Sequence, residues 1–149
     1  MYGDTANIRR LARDMRDQAA GLRRQADALV RRADGVDWQG TAAEAMRRRM
    51  RERAHHLRGT ASSHDEAARS LEQHAAEVDR LKSLIAAIER RVHSLVAGAK
   101  ERLASLADKI MDGVKDLAPD PVDEMLDRFV PPPPGHKDWL DVDLPGLHR

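Results

Sequence analysis

Apolar residues along the first quarter of the chain fall on one helical face. Ile8, Leu11, Met15, Ala19, Leu22, Ala26, Leu29 and Ala33 advance by three or four positions at each step, the spacing that puts side chains on one side of an α-helix. Asp4 or Thr5 suits the cap of this helix and Asp34-Gly35 its stop, glycine being the residue that most readily turns left-handed after a last turn. The pattern predicts a helix over 5–34, about 45 Å long at a rise of about 1.5 Å per residue. A second stripe follows Gly40. Ala43, Met46, Met50, Ala54, Leu57, Ala61, His64, Ala68, Leu71 and Ala75 keep the same rhythm, and it continues through Val78, Leu81, Ile85, Ile88, Val92, Leu95, Ala99, Leu103, Leu106, Ile110, Val114 and Leu117. This predicts a long helix over 41–117, with His64 the one polar member of its stripe.

A turn at 35–40 joins the two. Its glycines, Gly35 and Gly40, supply the backbone freedom a tight reversal needs, and Thr41 or Asp37 is placed to cap the second helix. Only residues up to 75 can pair with the first helix in an antiparallel hairpin. The remainder, 76–117, needs another surface, either a second protomer alongside a continuous helix or a fold-back as a third helix. A break would come at 59–63, where Gly59 precedes Thr-Ala-Ser-Ser-His-Asp-Glu and Ser63 to Glu66 fits a capping box. The stripe crosses this point without losing phase, so continuity is the favoured reading.

Residues 1–118 therefore read as a helical hairpin domain of coiled-coil character in an all-α protein. Pro119 and Pro121 close the long helix. Asp120 then caps a short amphipathic helix within 119–130, with Pro121 at its first position and Val122, Met125, Leu126 and Phe129 on its apolar face. Pro131 to Pro134 form an extended spacer, and 131–149 as a whole reads as a flexible, disordered Pro-rich tail.

Composition narrows the picture. Of the 149 residues, 41% are hydrophobic, 3% aromatic and 34% charged, which favours long helices meeting along narrow seams over a thick core. No cysteine is present, so disulfides and thiolate metal sites are excluded. No apolar run reaches the roughly 18–20 residues of a membrane span, and Met1 to Leu11 lacks the apolar stretch of a secretory signal, so any export is expected to proceed without a cleavable leader. Net charge is +1 but uneven, +6 over 1–60, −1 over 61–117 and −4 over 118–149. Arg outnumbers Lys by 21 to 5, a bias typical of GC-rich genomes such as those of actinobacteria.

Candidate chemistry is sparse. Glu52 and His55 have the Glu-x-x-His spacing of di-iron bundles, but a second copy and two further inward glutamates are missing, and Glu52 points away from the stripe. Glu89 and His93 form an ordinary pair four residues apart. Neither a nucleophile elbow nor a phosphate-cradling glycine loop occurs. No metal, cofactor or catalytic residue is therefore expected, and the chain is read as non-enzymatic. The basic run Arg47 to Arg53 is interrupted by Glu52, preceded by Glu44 and lacks aromatic neighbours, so a nucleic-acid role is disfavoured. Trp38 stands out in so aromatic-poor a chain. It is placed either to plug the end of the two-helix seam or to be displayed.

A helix of about thirty residues, then Trp38-Gln39-Gly40, then Thr-Ala-Ala-Glu-Ala opening a second amphipathic helix, resembles the WXG (Trp-x-Gly) family of type VII, or ESX, secretion substrates, the early secreted antigenic target-like proteins. The resemblance covers residues 5–80. It implies a hairpin that pairs, as a homo- or heterodimer with another WXG-like hairpin, into a four-helix bundle. It further implies export in the folded state, secreted or held at the cell envelope, with Trp38 and Gly40 contributing to a composite recognition surface. In that family a Tyr-x-x-x-Asp/Glu motif after the second helix completes the surface. Here the single tyrosine is Tyr2, followed four residues later by Ala6. The nearest approach is Trp139 and Asp143 in the tail. The alternation of Trp139, Leu140, Val142, Leu144 and Leu147 with aspartates suits docking into an apolar groove, either a partner's or one on the protein's own Arg-rich hairpin. The alternative to a secretion role is a structural coiled coil.

Overall fold

The computed structural model describes residues 4–114 and 116–147. Within them the chain is all-α, with three α-helices and no strand. Helix α1 spans Thr5–Asp34, α2 Thr41–Met111 and α3 Pro121–Asp127, followed by a 3₁₀ helix at Lys137–Asp141. The described residues divide into two compact units, one ending at Val78 and the other starting at Asp79.

The first unit is the antiparallel hairpin of α1 and the opening half of α2. Asp4 caps α1 by accepting from the Ala6 N–H at 3.0 Å. Its seam is built of alanine: Ala12, Ala19, Ala26 and Ala33 from α1, and Ala43, Ala54, Ala61, Ala68 and Ala75 from α2, are all fully buried. Apart from Ala43 they recur every seven residues, the coiled-coil repeat. A methyl group at each seam position leaves little bulk between the two backbones, and the spacing of packed helices follows the size of the side chains at their contact. The larger residues of the same stripes, Met15, Leu22 and Leu29 on α1 and Met50, Leu57 and Leu71 on α2, are only half-buried.

Ion pairs between α1 and α2 set the antiparallel register. Arg16 pairs with Glu72, with Nη2 and Oε2 2.8 Å apart, and Arg23 with Asp65 at 2.7 Å. Arg58 meets Asp27 at 2.7 Å and Arg51 meets Asp34 at 2.8 Å. The hydrogen bond to Glu72 raises the Arg16 pKa above its ordinary value. Such exposed pairs contribute little each, about 0–1 kcal/mol; burial of the seam is the larger effect.

Helix α2 passes through 59–63 unbroken. The polar residues that suggested a cap bond backwards within the helix. Thr60 Oγ1 donates to His56 O at 3.1 Å, Ser62 Oγ to Arg58 O at 3.1 Å and Ser63 Oγ to Gly59 O at 3.3 Å, an arrangement helices tolerate.

The end of α2 differs from the expected 117. Gly113 takes φ +88°, its N–H donates to Ile110 O and the Val114 N–H donates to Lys109 O. These paired bonds around a left-handed glycine form a Schellman stop. The apolar phase of Val114 and Leu117 outlasts the helix; both are exposed.

The second unit corrects the reading of the tail. Residues 131–147 are not a free segment but pack on the latter part of α2. Ile85, Val92 and Ala99, again seven apart, form one core with Leu126, Trp139, Val142 and Leu144. Part of the face left over after hairpin pairing is thus covered by the chain's own C-terminal segment rather than by a third long helix. Asp120 caps α3, accepting from the Val122 N–H at 2.8 Å. Helix α3 buries Leu126 and Asp123, while Val122 and Met125 from the expected apolar face are exposed, because Arg102 of α2 holds Asp123 inward.

Candidate interaction surfaces

The hairpin turn is fastened by Arg47, the first residue of the basic run. Arg47 reaches back from the first turns of α2 and donates to three carbonyls: Nε to Ala33 O at 3.2 Å, and Nη2 to Val36 O at 2.8 Å and Trp38 O at 2.7 Å. One guanidinium thereby satisfies acceptors left over at the end of α1 and in the turn. A signal was present: Arg47 lies seven residues before Ala54 and so occupies the alanine register of the seam.

Gly35 is right-handed, with φ −85°, and its N–H donates to Arg31 O; it is not the left-handed stop expected there. Gly40 is the residue with unusual backbone, φ +109°. A Cβ at Gly40 would touch nothing within 4 Å, so the requirement for glycine is one of backbone angle, not of space. Thr41 is the first residue of α2, and the helix opens with the Glu44 N–H donating to Gly40 O.

Trp38 is 49% exposed. Its carbonyl is held by Arg47 while half of its indole faces solvent, so the turn displays the ring more than it is plugged by it. The basic run beside it is partly engaged: Arg47 serves the turn and Arg51 pairs with Asp34. An open depression there is lined by Glu44 and Glu52 together with Arg47, Arg48, Arg51, His55 and His56. Its mixed signs give no uniform positive field.

In the other unit, Trp139 and Asp143 lie differently. Trp139 is fully buried. Its Nε1–H donates to Pro133 O at 2.9 Å, and His93 approaches its ring edge-on with centroids 5.8 Å apart. Asp143 is exposed. Trp139 is therefore no free anchor for a partner; it is the anchor of the tail on α2, and the alternation that suggested docking in a groove reflects docking on this chain's own helix. Glu89 Oε2 accepts from the Gly135 N–H at 3.3 Å. Arg102 closes the other end with a bidentate fork onto Asp123, Nη2 to Oδ1 at 2.5 Å and Nε to Oδ2 at 2.9 Å. The hydrogen bond from Arg102 holds the Asp123 carboxyl below its ordinary range, against the opposing effect of desolvation. The same bond raises Arg102.

No group of three or more histidines and carboxylates among the described residues is placed to hold a metal. No helix among them is long and apolar enough to cross a membrane. A scan against protein-family models and searches of curated proteins and of solved structures return no match to this chain.

Proposed function

We propose that this chain is a non-enzymatic, WXG-like helical hairpin of a type VII secretion system, acting by pairing with other hairpins. The observation that carries this reading is the turn: Trp38-Gln39-Gly40 sits at the reversal between α1 and α2 with the indole half-exposed, while Arg47 fastens the backbone. An aromatic side chain that the turn does not need for closure is available for recognition. The second half of the composite signal is missing, since Trp139, its nearest counterpart, is buried against α2. Export is accordingly expected to depend on a further component of the machinery that supplies it, which makes this protein a targeting or chaperone subunit, secreted or envelope-associated along with what it accompanies.

The test is a comparison of culture filtrate and cell-envelope fractions with and without the host's type VII ATPase, for the wild type and Trp38→Ala. The reading requires loss of the protein from these fractions in both the ATPase mutant and the Trp38 variant. An ATPase-independent distribution, unchanged in the variant, would instead favour a structural coiled coil unconnected with secretion.

A further inference from the structure

Burial along 129–134 repeats every three residues. Phe129 and Pro132 are half-buried, whereas Val130, Pro131, Pro133 and Pro134 are exposed, Val130 at 84%. An α-helix would repeat near 3.6 and a strand at 2; three residues per turn is the period of polyproline II. The covalent structure imposes that conformation. The rings of Pro131 to Pro134 fix φ at about −65°. Each residue from Val130 to Pro133 also precedes a proline, which steers it out of the α region into extended backbone. The run ends in a turn, where Gly135 takes φ +70° and the His136 N–H donates to Pro133 O at 3.1 Å.

This strip is fastened to its own folded unit along one edge. Phe129 packs against the core built on Ile85, Val92 and Trp139. Trp139 Nε1–H donates to Pro133 O at 2.9 Å, and the Gly135 N–H donates to Glu89 Oε2 at 3.3 Å. A helix of three residues per turn is a triangular prism with three edges. With the 129/132 edge turned inward, the 130/133 and 131/134 edges face outward. They carry the apolar pairs Val130-Pro131 and Pro133-Pro134, and Val130 is no part of the core. Arg128 stands three residues before Pro131, is exposed, and forms no ion pair among the described residues. Residues 128–134 thus read Arg-x-x-Pro-x-x-Pro.

We propose that residues 128–134 are a preformed ligand for a polyproline-binding protein domain. Its aromatic-lined groove takes the Val130-Pro131 and Pro133-Pro134 pairs, and an acidic rim takes Arg128. The chemistry of the strip selects this occupant. A groove that reads two edges of the prism leaves the third free, and here the third is the edge held against the rest of the chain. Prolines carry no N–H, so the strip cannot bind by adding to a sheet edge, whereas aromatic grooves read it through the faces of its rings. The unpaired guanidinium complements a carboxylate, the group it grips best. Because the ends of the strip are already fixed, binding requires little further ordering. The inference does not depend on the secretion reading.

The probe is a purified, isotope-labelled SH3 domain selective for Arg-x-x-Pro-x-x-Pro ligands, titrated with the full-length protein and followed through its amide resonances. Saturable shifts confined to the aromatic groove and its acidic rim are expected. Pro131→Ala combined with Pro134→Ala should weaken binding about tenfold or more, and Arg128→Ala by about tenfold. Pro132→Ala, on the inward edge, should change it by less than about threefold. Val130→Asp alters a side chain outside the core, so its expected loss of binding cannot be ascribed to misfolding. A wild type that produces no saturable shifts in the groove would overturn the proposal. So would full binding by Val130→Asp, or a loss with Pro132→Ala as large as that of the Pro131/Pro134 variant.

Discussion

Arg47 and Trp38 sit at the same turn and are predicted to behave oppositely on truncation. Arg47→Ala removes a part-buried guanidinium that satisfies three carbonyls, and those acceptors lose a charge-assisted partner. The expected loss is about 1–3 kcal/mol in chemical denaturation of the hairpin. Trp38→Ala removes a ring already half in solvent and should cost less than about 1 kcal/mol, well below the roughly 3–5 kcal/mol typical of a buried tryptophan. If Trp38→Ala destabilises more than Arg47→Ala, the assignment of the fastening role to Arg47 is wrong. Gly40→Ala is a third case: the new methyl group meets no neighbour, yet φ +109° is unfavourable for any residue with a Cβ. A loss of about 1 kcal/mol or more should appear without any change in packing, and an unchanged melting temperature would argue against this backbone geometry.

Helix existence was legible in the sequence because the three-and-four rhythm of the stripes is dense and capped where Asp4 and Asp120 stand. Helix endings and partners were less so. The apolar phase runs on through Val114 and Leu117, but the Asp112-Gly113 stop is a backbone event that periodicity does not register. Likewise, hydrophobicity treats Ala26 and Leu29 as members of one stripe, although the structure buries the alanine completely and the leucine only partly. Close approach of two helices favours the smallest side chain at the contact line, which reverses the usual ranking by size. A direct consequence can be measured. Ala26→Leu or Ala61→Leu inserts three carbons between backbones that the alanine seam holds together, and each should cost about 1–3 kcal/mol by overpacking. The same change at exposed Ala42 should be nearly neutral, as Leu and Ala are both good helix formers. A stabilising Ala61→Leu substitution would show that the helices are not packed through their alanines.

At the scale of the molecule, the C-terminal segment changes from an appendage into part of a folded unit. Its composition suggested freedom, being proline-rich and acidic, and the pattern of apolar residues alternating with aspartates did indicate a groove. It could not indicate that the groove lay on α2 of the same chain, because docking depends on Arg102, Glu89 and His93, each an ordinary surface residue when α2 is viewed alone. Deleting 131–149 would remove Trp139, Val142 and Leu144 from the core they share with Ile85 and Val92. The truncated protein is expected to keep its hairpin but to self-associate non-specifically through the uncovered face. The docked state should also respond to acid. Asp123 has its pKa lowered from 3.8 by the Arg102 hydrogen bond. Since the folded value lies below the unfolded one, the contribution of Asp123 is fully present above about pH 4 and is lost as pH falls through the depressed folded value. Trp139 reports the docked state by fluorescence once Trp38 is replaced by Phe. In that background the acid release of Trp139 should be partly abolished by Asp123→Asn, whose side chain carries no charge to lose. The Asn variant should also be less stably docked at pH 7. Identical acid profiles with and without Asp123 would show that the Arg102 fork does not hold the segment in place.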